Sequence, residues 1–115
     1  MLEAMALDSL DREMVTTFRG RLESILGERL RDLRVFGSRA RGDARPDSGL
    51  DVFVLVDHRD RATWKQIVRV AEDVTIEYDF ARDLSPLVLD EAQFADLQDR
   101  ERRLARDLLH EGISA

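Results

Sequence analysis

The stretch GSRARGDARPDSGLD, residues 37 to 51, carries the side chains best suited to chemistry. Gly37 and Ser38 directly follow an apolar run, so the backbone can turn closely there and offer amide hydrogens and a hydroxyl to an anion. Asp51 lies at the start of the next apolar run. Carboxylates at alternate positions of a strand share one face and can bind Mg²⁺ there. The stretch therefore indicates an anion-binding turn beside a strand that could hold a metal ion.

Positive charge is concentrated around this loop in an otherwise acidic chain, at Arg34, Arg39, Arg41 and Arg45. Such a loop is most often a solvated surface, and a Gly-Ser pair alone is common in turns. Its arginines can neutralise phosphate, or they can pair with Asp43 or Asp47 across the loop. Of the arginines, we expect Arg39 to contact phosphate.

Two helices and two strands are predicted to position this loop. Apolar residues recur at helical spacing between a cap at Asp8 or Ser9 and a stop at Gly27: Leu10, Met14, Val15, Phe18, Leu22, Ile25 and Leu26. Strands are predicted at 33–36 and 50–56, the second patterned for burial on both faces. A second helix runs from about Asp60 towards Tyr78, with Trp64 on its apolar stripe and packed in the core.

The remaining residues are predicted to form one further strand and further helical structure. The strand covers residues 84–89, and Pro86 favours an edge position. Asp90 and Gln93 form a capping-box pair for the helix that follows. Its apolar positions predict one broken or two short helices before Gly112: Phe94, Leu97, Leu104 and Leu108. This order of elements predicts an α/β (α+β) fold, a small mixed β-sheet flanked by helices.

The composition limits the classes of function. The 115 residues suffice for one domain, 1–115, and the net charge of −6 argues against a surface that binds nucleic acid. There is no cysteine, no apolar stretch of membrane-spanning length and no signal-peptide pattern, so a cytoplasmic location without membrane insertion is expected. His58 and His110 lack a metal-ligand spacing, and we expect surface or helix-end roles for them.

The loop as a whole resembles the signature of the minimal nucleotidyltransferases (MNT) of the polymerase-beta-like superfamily. The matching positions are Gly37, Ser38, Gly42, Ser48, Leu50 and Asp51. The resemblance extends from the first helix to the C-terminus and implies a nucleotidyltransferase-like fold. It implies that Gly37 and Ser38 hold the triphosphate of ATP or another NTP, with Arg39 and Ser48 also in the nucleotide site, and that a strand-borne acidic pair holds Mg²⁺.

The sequence departs from this signature at Gly49, where the family usually has the first aspartate of the pair. Asp51 then remains as the catalytic and metal-binding residue. A further carboxylate normally comes from a later strand, and Asp83 is the nearest candidate, with Asp79 and Glu77 less well placed. Asp47 shares strand parity with Asp51 and could reach a metal from the turn.

Two functions remain open at this point. The first is transfer of a nucleotidyl group, AMP in the expected case, from Mg·NTP to a hydroxyl of a partner protein. Some members of the family are antitoxins that bind, and modify with AMP, a helical HEPN-domain toxin, and the resemblance implies such a partner here. The second is an antitoxin of the same fold that neutralises the toxin by binding, with little or no catalysis, and Gly49 favours it.

Overall fold

A mixed sheet flanked by four helices makes up the described part of the protein, in a computed structural model that describes residues 7–100 and 113–114. The helices are α1 (Ser9–Leu26), α2 (Ser38–Arg41), α3 (Arg61–Glu77) and α4 (Glu91–Arg100), and a 3₁₀ turn, Gly27–Arg29, follows α1. The strands are β1 (Leu30–Phe36), β2 (Leu50–Val56), β3 (Leu84–Asp90) and the two-residue β4 (Ile113–Ser114). The predicted fold class is confirmed.

The sheet has the strand order β3-β2-β1-β4. Strand β2 is central, antiparallel to β1 and parallel to β3, and its bounds are those predicted. Strand β1 begins at Leu30, earlier than predicted. Strand β3 lies at one edge of the sheet described here. Pro86 has no N–H to donate, and at this edge that loss deprives no neighbouring strand of a hydrogen bond.

One face of the sheet carries the main core, because α1 and α3 pack on it. Side chains at alternate positions of β2 point into this core together with the inward faces of both helices, among them Val52, Val54, Val56, Met14, Phe18, Leu22, Ile67, Ala71 and Val74. Asp8 accepts a hydrogen bond from the Asp11 amide (2.7 Å), and Asp60 accepts one from the Thr63 amide (2.7 Å). These carboxylates occupy amide donors that the helix itself leaves unpaired, and the predicted starts of α1 and α3 are confirmed.

The other face of the sheet is covered in part by α4. The Gln93 amide donates to Asp90 (2.8 Å) and the Asp90 amide donates to Gln93 (3.0 Å), so the predicted capping box is present. The ring of Phe94 then packs against that of Phe53, with centroids 5.3 Å apart. Residues 101–112, which include Leu104, Leu108 and His110, lie outside the described residues.

Two predicted core residues prove to be exposed. Trp64 is 39% exposed and Ile25 is 47% exposed. In α3 the inward position belongs to Thr63, whose hydroxyl accepts a hydrogen bond from Arg29 (3.0 Å), and Trp64, the next residue, points outward. The indole lies instead near the guanidinium of Arg59, at 6.0 Å from the ring centroid. The prediction that Trp64 packs in the core is therefore wrong.

A pair of substitutions on α1 tests this division between core and surface. Phe18 is fully buried, so Phe18→Ala is expected to lower the free energy of unfolding by about 3–5 kcal/mol. Ile25→Ala, on the exposed side of the same helix, should lower it by about 0.5 kcal/mol or less. Urea denaturation measures both values. Equal losses would contradict the assignment of the buried face.

Candidate active site

The turn at Gly37 and the carboxylate of Asp51 lie against each other. Gly37 has φ +78°, a conformation that favours glycine, and a Cβ at this position would lie 2.6 Å from Oδ2 of Asp51. A side chain at residue 37 would therefore strain the backbone and require the carboxylate of Asp51 to shift. Ser38 begins α2 directly after this turn, and the first amides of a helix have no acceptor within it. Two of the predicted elements, the turn and the strand aspartate, therefore meet.

Asp83 is the second carboxylate of the site. Asp51 lies opposite Ser85 in the parallel register of β2 and β3, so Asp83, two residues earlier, projects on the face of Asp51. Burial raises the pKa of Asp51, the negative charge of Asp83 raises it further, and the positive charge of Arg41 offsets part of the rise. Two carboxylates that repel each other in this way form a site suited to a cation.

Gly49 lies beside the backbone of Asp83, two residues before Asp51. The Leu50 amide donates to the Asp83 carbonyl (2.9 Å), which brings residue 49 beside residue 83. A Cβ on Gly49 would lie 3.2 Å from that carbonyl oxygen, so an aspartate would require a shift of a few tenths of an ångström there. Within residues 7–100 no three His, Asp or Glu side chains are grouped closely enough to hold a metal ion. The site thus presents two carboxylates, and Gly49 stands where a third would project.

The other proposed metal ligands do not join this pair. Asp47 is exposed in a turn closed by the Ser48 amide donating to the Arg45 carbonyl (3.0 Å). The chain is therefore not extended at Asp47, and the strand parity assumed for it does not apply. Glu77 pairs with Arg21 at the end of α3, and Asp79 lies in the following turn with φ +55°.

The expected roles of Arg39 and Ser48 in nucleotide binding also need correction. Arg39 is 6% exposed, and its guanidinium donates to the carbonyls of Ser48 (2.9 and 3.2 Å) and Arg45 (3.2 Å). The Ser48 hydroxyl accepts a hydrogen bond from the Arg45 amide (2.9 Å). Both side chains therefore hold the shape of the loop. The predicted pairing of a loop arginine with Asp43 is confirmed, through Arg41 (3.4 Å).

A buried group of charges connects the two halves of the site. We call Asp11, Arg39 and Arg82 the Asp11 cluster. Asp11 is 2% exposed and accepts a hydrogen bond from Nε of Arg82 (3.2 Å), with Nε of Arg39 at 3.7 Å from the same oxygen. Arg82 also donates to Asp8 (3.0 Å). Arg39 fixes the turn that leads to Gly49, and Arg82 immediately precedes Asp83. The carboxylate of Asp11 therefore positions both segments of the chain that lead to the site.

Our sequence reasoning missed Asp11 and Arg82, although the sequence contains a signal for Asp11. Asp11 is spaced three, four and seven residues from Met14, Val15 and Phe18, which places an acid on the apolar stripe of a predicted helix. A charged residue at such a position requires a buried partner.

Other features of the described residues lie apart from this site. His58 is exposed in the segment after the far end of β2, as expected for a surface residue. Across residues 7–100, no helix is both long enough and apolar enough to cross a membrane.

The Asp11 cluster generates the first prediction for the site. Asp11→Ala leaves two guanidinium groups without their carboxylate, so it is expected to lower the free energy of unfolding by about 3–5 kcal/mol. Glu23→Ala removes the carboxylate of an exposed pair with Arg19 and should cost about 0.5 kcal/mol or less. Urea denaturation compares the two variants. A similar small loss for both would show that the cluster does not hold the fold.

The raised pKa of Asp51 generates the second prediction for the site. A carboxyl whose pKa is higher in the folded state than in the unfolded state destabilises the fold once it ionises. Asp51→Asn is therefore expected to raise the melting temperature by a few degrees at pH 7 in the absence of divalent ions. The gain should shrink as the pH falls through the raised pKa towards the usual value for aspartate. A lower melting temperature for Asp51→Asn at pH 7 would contradict the electrostatic account.

Known proteins are similar to this chain in sequence and in fold. The profile of the nucleotidyltransferase domain family matches residues 15–110. A Methanocaldococcus jannaschii protein named "putative protein adenylyltransferase" is 32% identical over 77 residues, which are 66% of this chain and 76% of that protein. A solved structure titled as a "putative nucleotidyltransferase" from Sulfolobus solfataricus shares the fold, with a TM-score of 0.50, 23% identity and coverage of 76% of this chain and 70% of that one. The Gly37 turn, the Asp51 strand and the family match lead to one conclusion: the chain belongs to the nucleotidyltransferase domain family.

Proposed function

We propose that this protein transfers AMP from Mg·ATP to a hydroxyl group of a protein. The observation that carries the proposal is the proximity of two carboxylates at one end of two parallel strands, Asp51 on β2 and Asp83 directly before β3, beside the Gly37 turn. A relative with 32% identity that is named as a protein adenylyltransferase supports the choice of AMP and of a protein acceptor.

The residues of the site divide the work between phosphate and metal. The amides after Gly37 and the Ser38 hydroxyl would bind the β- and γ-phosphates, and Asp51 and Asp83 would hold Mg²⁺. The repulsion between the carboxylates of Asp51 and Asp83 fits a bound cation. The close approach of residue 37 to Asp51, which glycine permits, fits a phosphate bound beside this turn. Phosphate oxygens and water would supply the remaining ligands of a bound Mg²⁺. When bound, the ion neutralises charge that develops on the phosphoryl group.

The transfer itself is an in-line displacement. The acceptor oxygen forms a bond to the α-phosphorus, the bond from that phosphorus to the bridging oxygen breaks, and pyrophosphate leaves. Asp83 is exposed directly before β3 and would accept the proton of the acceptor hydroxyl. The Asp11 cluster would hold Asp83 and the loop before Asp51 in register for this step.

A HEPN-domain toxin is the protein partner we propose, on the strength of the resemblance to antitoxins of the MNT type. Gly49 also favours a second candidate function. With two carboxylates in the described part of the site, the protein could bind Mg·ATP and neutralise the toxin by binding, with little transfer. The two functions share the partner and differ in whether neutralisation requires ATP.

Transfer of radiolabelled AMP from Mg·ATP to a co-purified HEPN-domain partner tests the proposal. Asp51→Asn and Asp83→Asn are expected to lower the rate roughly a thousandfold, because each loss weakens metal stabilisation worth several kcal/mol. Asp96→Asn is the matched control, since this exposed aspartate pairs with Arg100 on α4 and should leave the rate unchanged.

The Gly49→Asp variant distinguishes the two candidate functions. Transfer by the unmodified protein that disappears in Asp51→Asn would support the enzyme. Transfer that appears only in Gly49→Asp, with toxin neutralisation retained by Asp51→Asn, would support the binding function. Transfer unaffected by Asp51→Asn would contradict the proposed site.

A further inference from the structure

The outward side of α3 carries a row of apolar side chains. Trp64, Val68 and Ile76 lie on α3 at multiples of four residues, with Glu72 completing the spacing, and Phe80 follows in the turn directly after the helix. Trp64, Ile76 and Phe80 are 39%, 56% and 71% exposed. Rows of residues at this spacing are the ridges by which helices pack against each other. We call these residues the α3 ridge, and large apolar side chains exposed in such a row indicate an interaction surface.

A cavity of about 250 Å³ lies at the end of the ridge nearest the active site. It is lined by Glu72, Thr75, Ile76, Phe80, Asp83 and Leu84. Pockets for small molecules are usually about 300–1,000 Å³, so this cavity suits one large side chain better than a whole nucleotide. The opposite end of the ridge carries such a side chain, the exposed indole of Trp64.

The charges along α3 are arranged in two opposite halves. The first half presents basic side chains, Arg61, Lys65 and Arg69, and the second half presents acidic ones, Glu72, Asp73 and Glu77, with Asp79 just beyond. Two such helices side by side in the same direction would place like charges together. In the antiparallel arrangement, each basic half faces an acidic half. The helix is thus complementary to an antiparallel copy of itself in charge.

We propose that the protein forms a two-fold symmetric homodimer through antiparallel α3 ridges, with Trp64 of each copy inserted in the cavity beside Phe80 of the other. Two-fold symmetry repeats every contact, and the spacing between Trp64 and the cavity is the same in both copies, so both insertions form together. The indole of the second copy then lies beside Asp83 and forms part of the rim of the candidate active site. This assembly requires neither nucleotide nor catalysis.

Sedimentation velocity and tryptophan fluorescence of the full chain without ligand test the dimer. Trp64 is the only tryptophan, so its emission reports its own burial. The sedimentation coefficient is expected to rise from monomer to dimer with concentration, and the emission maximum should shift to shorter wavelength over the same range. A monomer at every concentration up to the millimolar range would overturn the proposal, as would a dimer without a shift in emission.

Variants then locate the interface. Trp64→Ala and Ile76→Asp are each expected to weaken dimerisation about tenfold or more, since truncated aromatic anchors have effects of this size. Ile25→Ala, an exposed apolar residue of α1, is the control and should leave the dissociation constant unchanged. Circular dichroism of each dilute variant checks that it folds. A dimer indifferent to both ridge variants would assign the contact to another surface and overturn the proposal.

Mixing the two ridge variants gives a specific test of the antiparallel arrangement. A mixed dimer of Trp64→Ala with Ile76→Asp retains one intact insertion, whereas neither homodimer retains a complete one. The mixture is therefore expected to dimerise about tenfold more tightly than either variant alone. No gain on mixing would overturn the insertion of Trp64 in the cavity.

Discussion

A buried carboxylate, Asp11, is the group on which the geometry of the candidate active site depends. An ionised side chain that is 2% exposed is tolerated when its charge is balanced, and two guanidinium groups do this: Arg82 donates a hydrogen bond to one oxygen of Asp11, and Arg39 forms an ion pair with the same oxygen. Each guanidinium also binds outside the cluster, Arg39 to loop carbonyls and Arg82 to Asp8. The first helix, the loop before β2 and the segment before β3 are thereby joined through one side chain. The sheet supplies the face on which the proposed reaction takes place, and the Asp11 cluster fixes the loop before β2 and the segment before β3, which lead to this face.

The site combines this rigid support with an unfavourable electrostatic arrangement. Asp51 is partly withdrawn from water and lies near Asp83, and both effects disfavour its ionised form. A cation bound near both carboxylates would favour the ionised form of Asp51. Metal binding would therefore recover the free energy that this ionisation costs the free protein. With glycine at residue 49, the free protein avoids the repulsion of a third carboxylate, and it also forgoes the ligand that such a residue would supply. Gly49 therefore shifts the balance from tight metal binding towards stability of the free protein.

Much of the fold was predictable because its signals are local. The caps at Asp8 and Asp90, the start of α3 near Asp60 and the alternating pattern of β2 depend on residues a few positions apart, and each was found where expected. The contact between the Gly37 turn and Asp51 was also predictable, since a glycine after one strand and an acid at the start of its neighbour form a specific combination. Local patterns were therefore sufficient to predict β2, the strand that bears the carboxylate of Asp51.

The failures arose where the tertiary environment decides the role of a side chain. Arg39 has the charge that phosphate requires, but the loop carbonyls compete for it, and the sequence does not show how the loop folds back. Asp47 has strand parity only if the chain is extended, and the turn closed by Ser48 prevents this. Trp64 fits the apolar spacing of α3, but Thr63 takes the inward place, where it accepts a hydrogen bond from distant Arg29. Asp83 was only a weak candidate because its approach to Asp51 depends on strand register.

The most direct test of the central claim, that Asp51 and Asp83 form one metal site beside the Gly37 turn, is a crystal structure with Mn²⁺ and a non-hydrolysable ATP analogue. Anomalous scattering locates Mn²⁺, which takes carboxylate ligands as Mg²⁺ does. We expect the ion between the carboxylates of Asp51 and Asp83, with the triphosphate on the amides that follow Gly37. An ion bound elsewhere, or a triphosphate held away from this turn, would contradict the account.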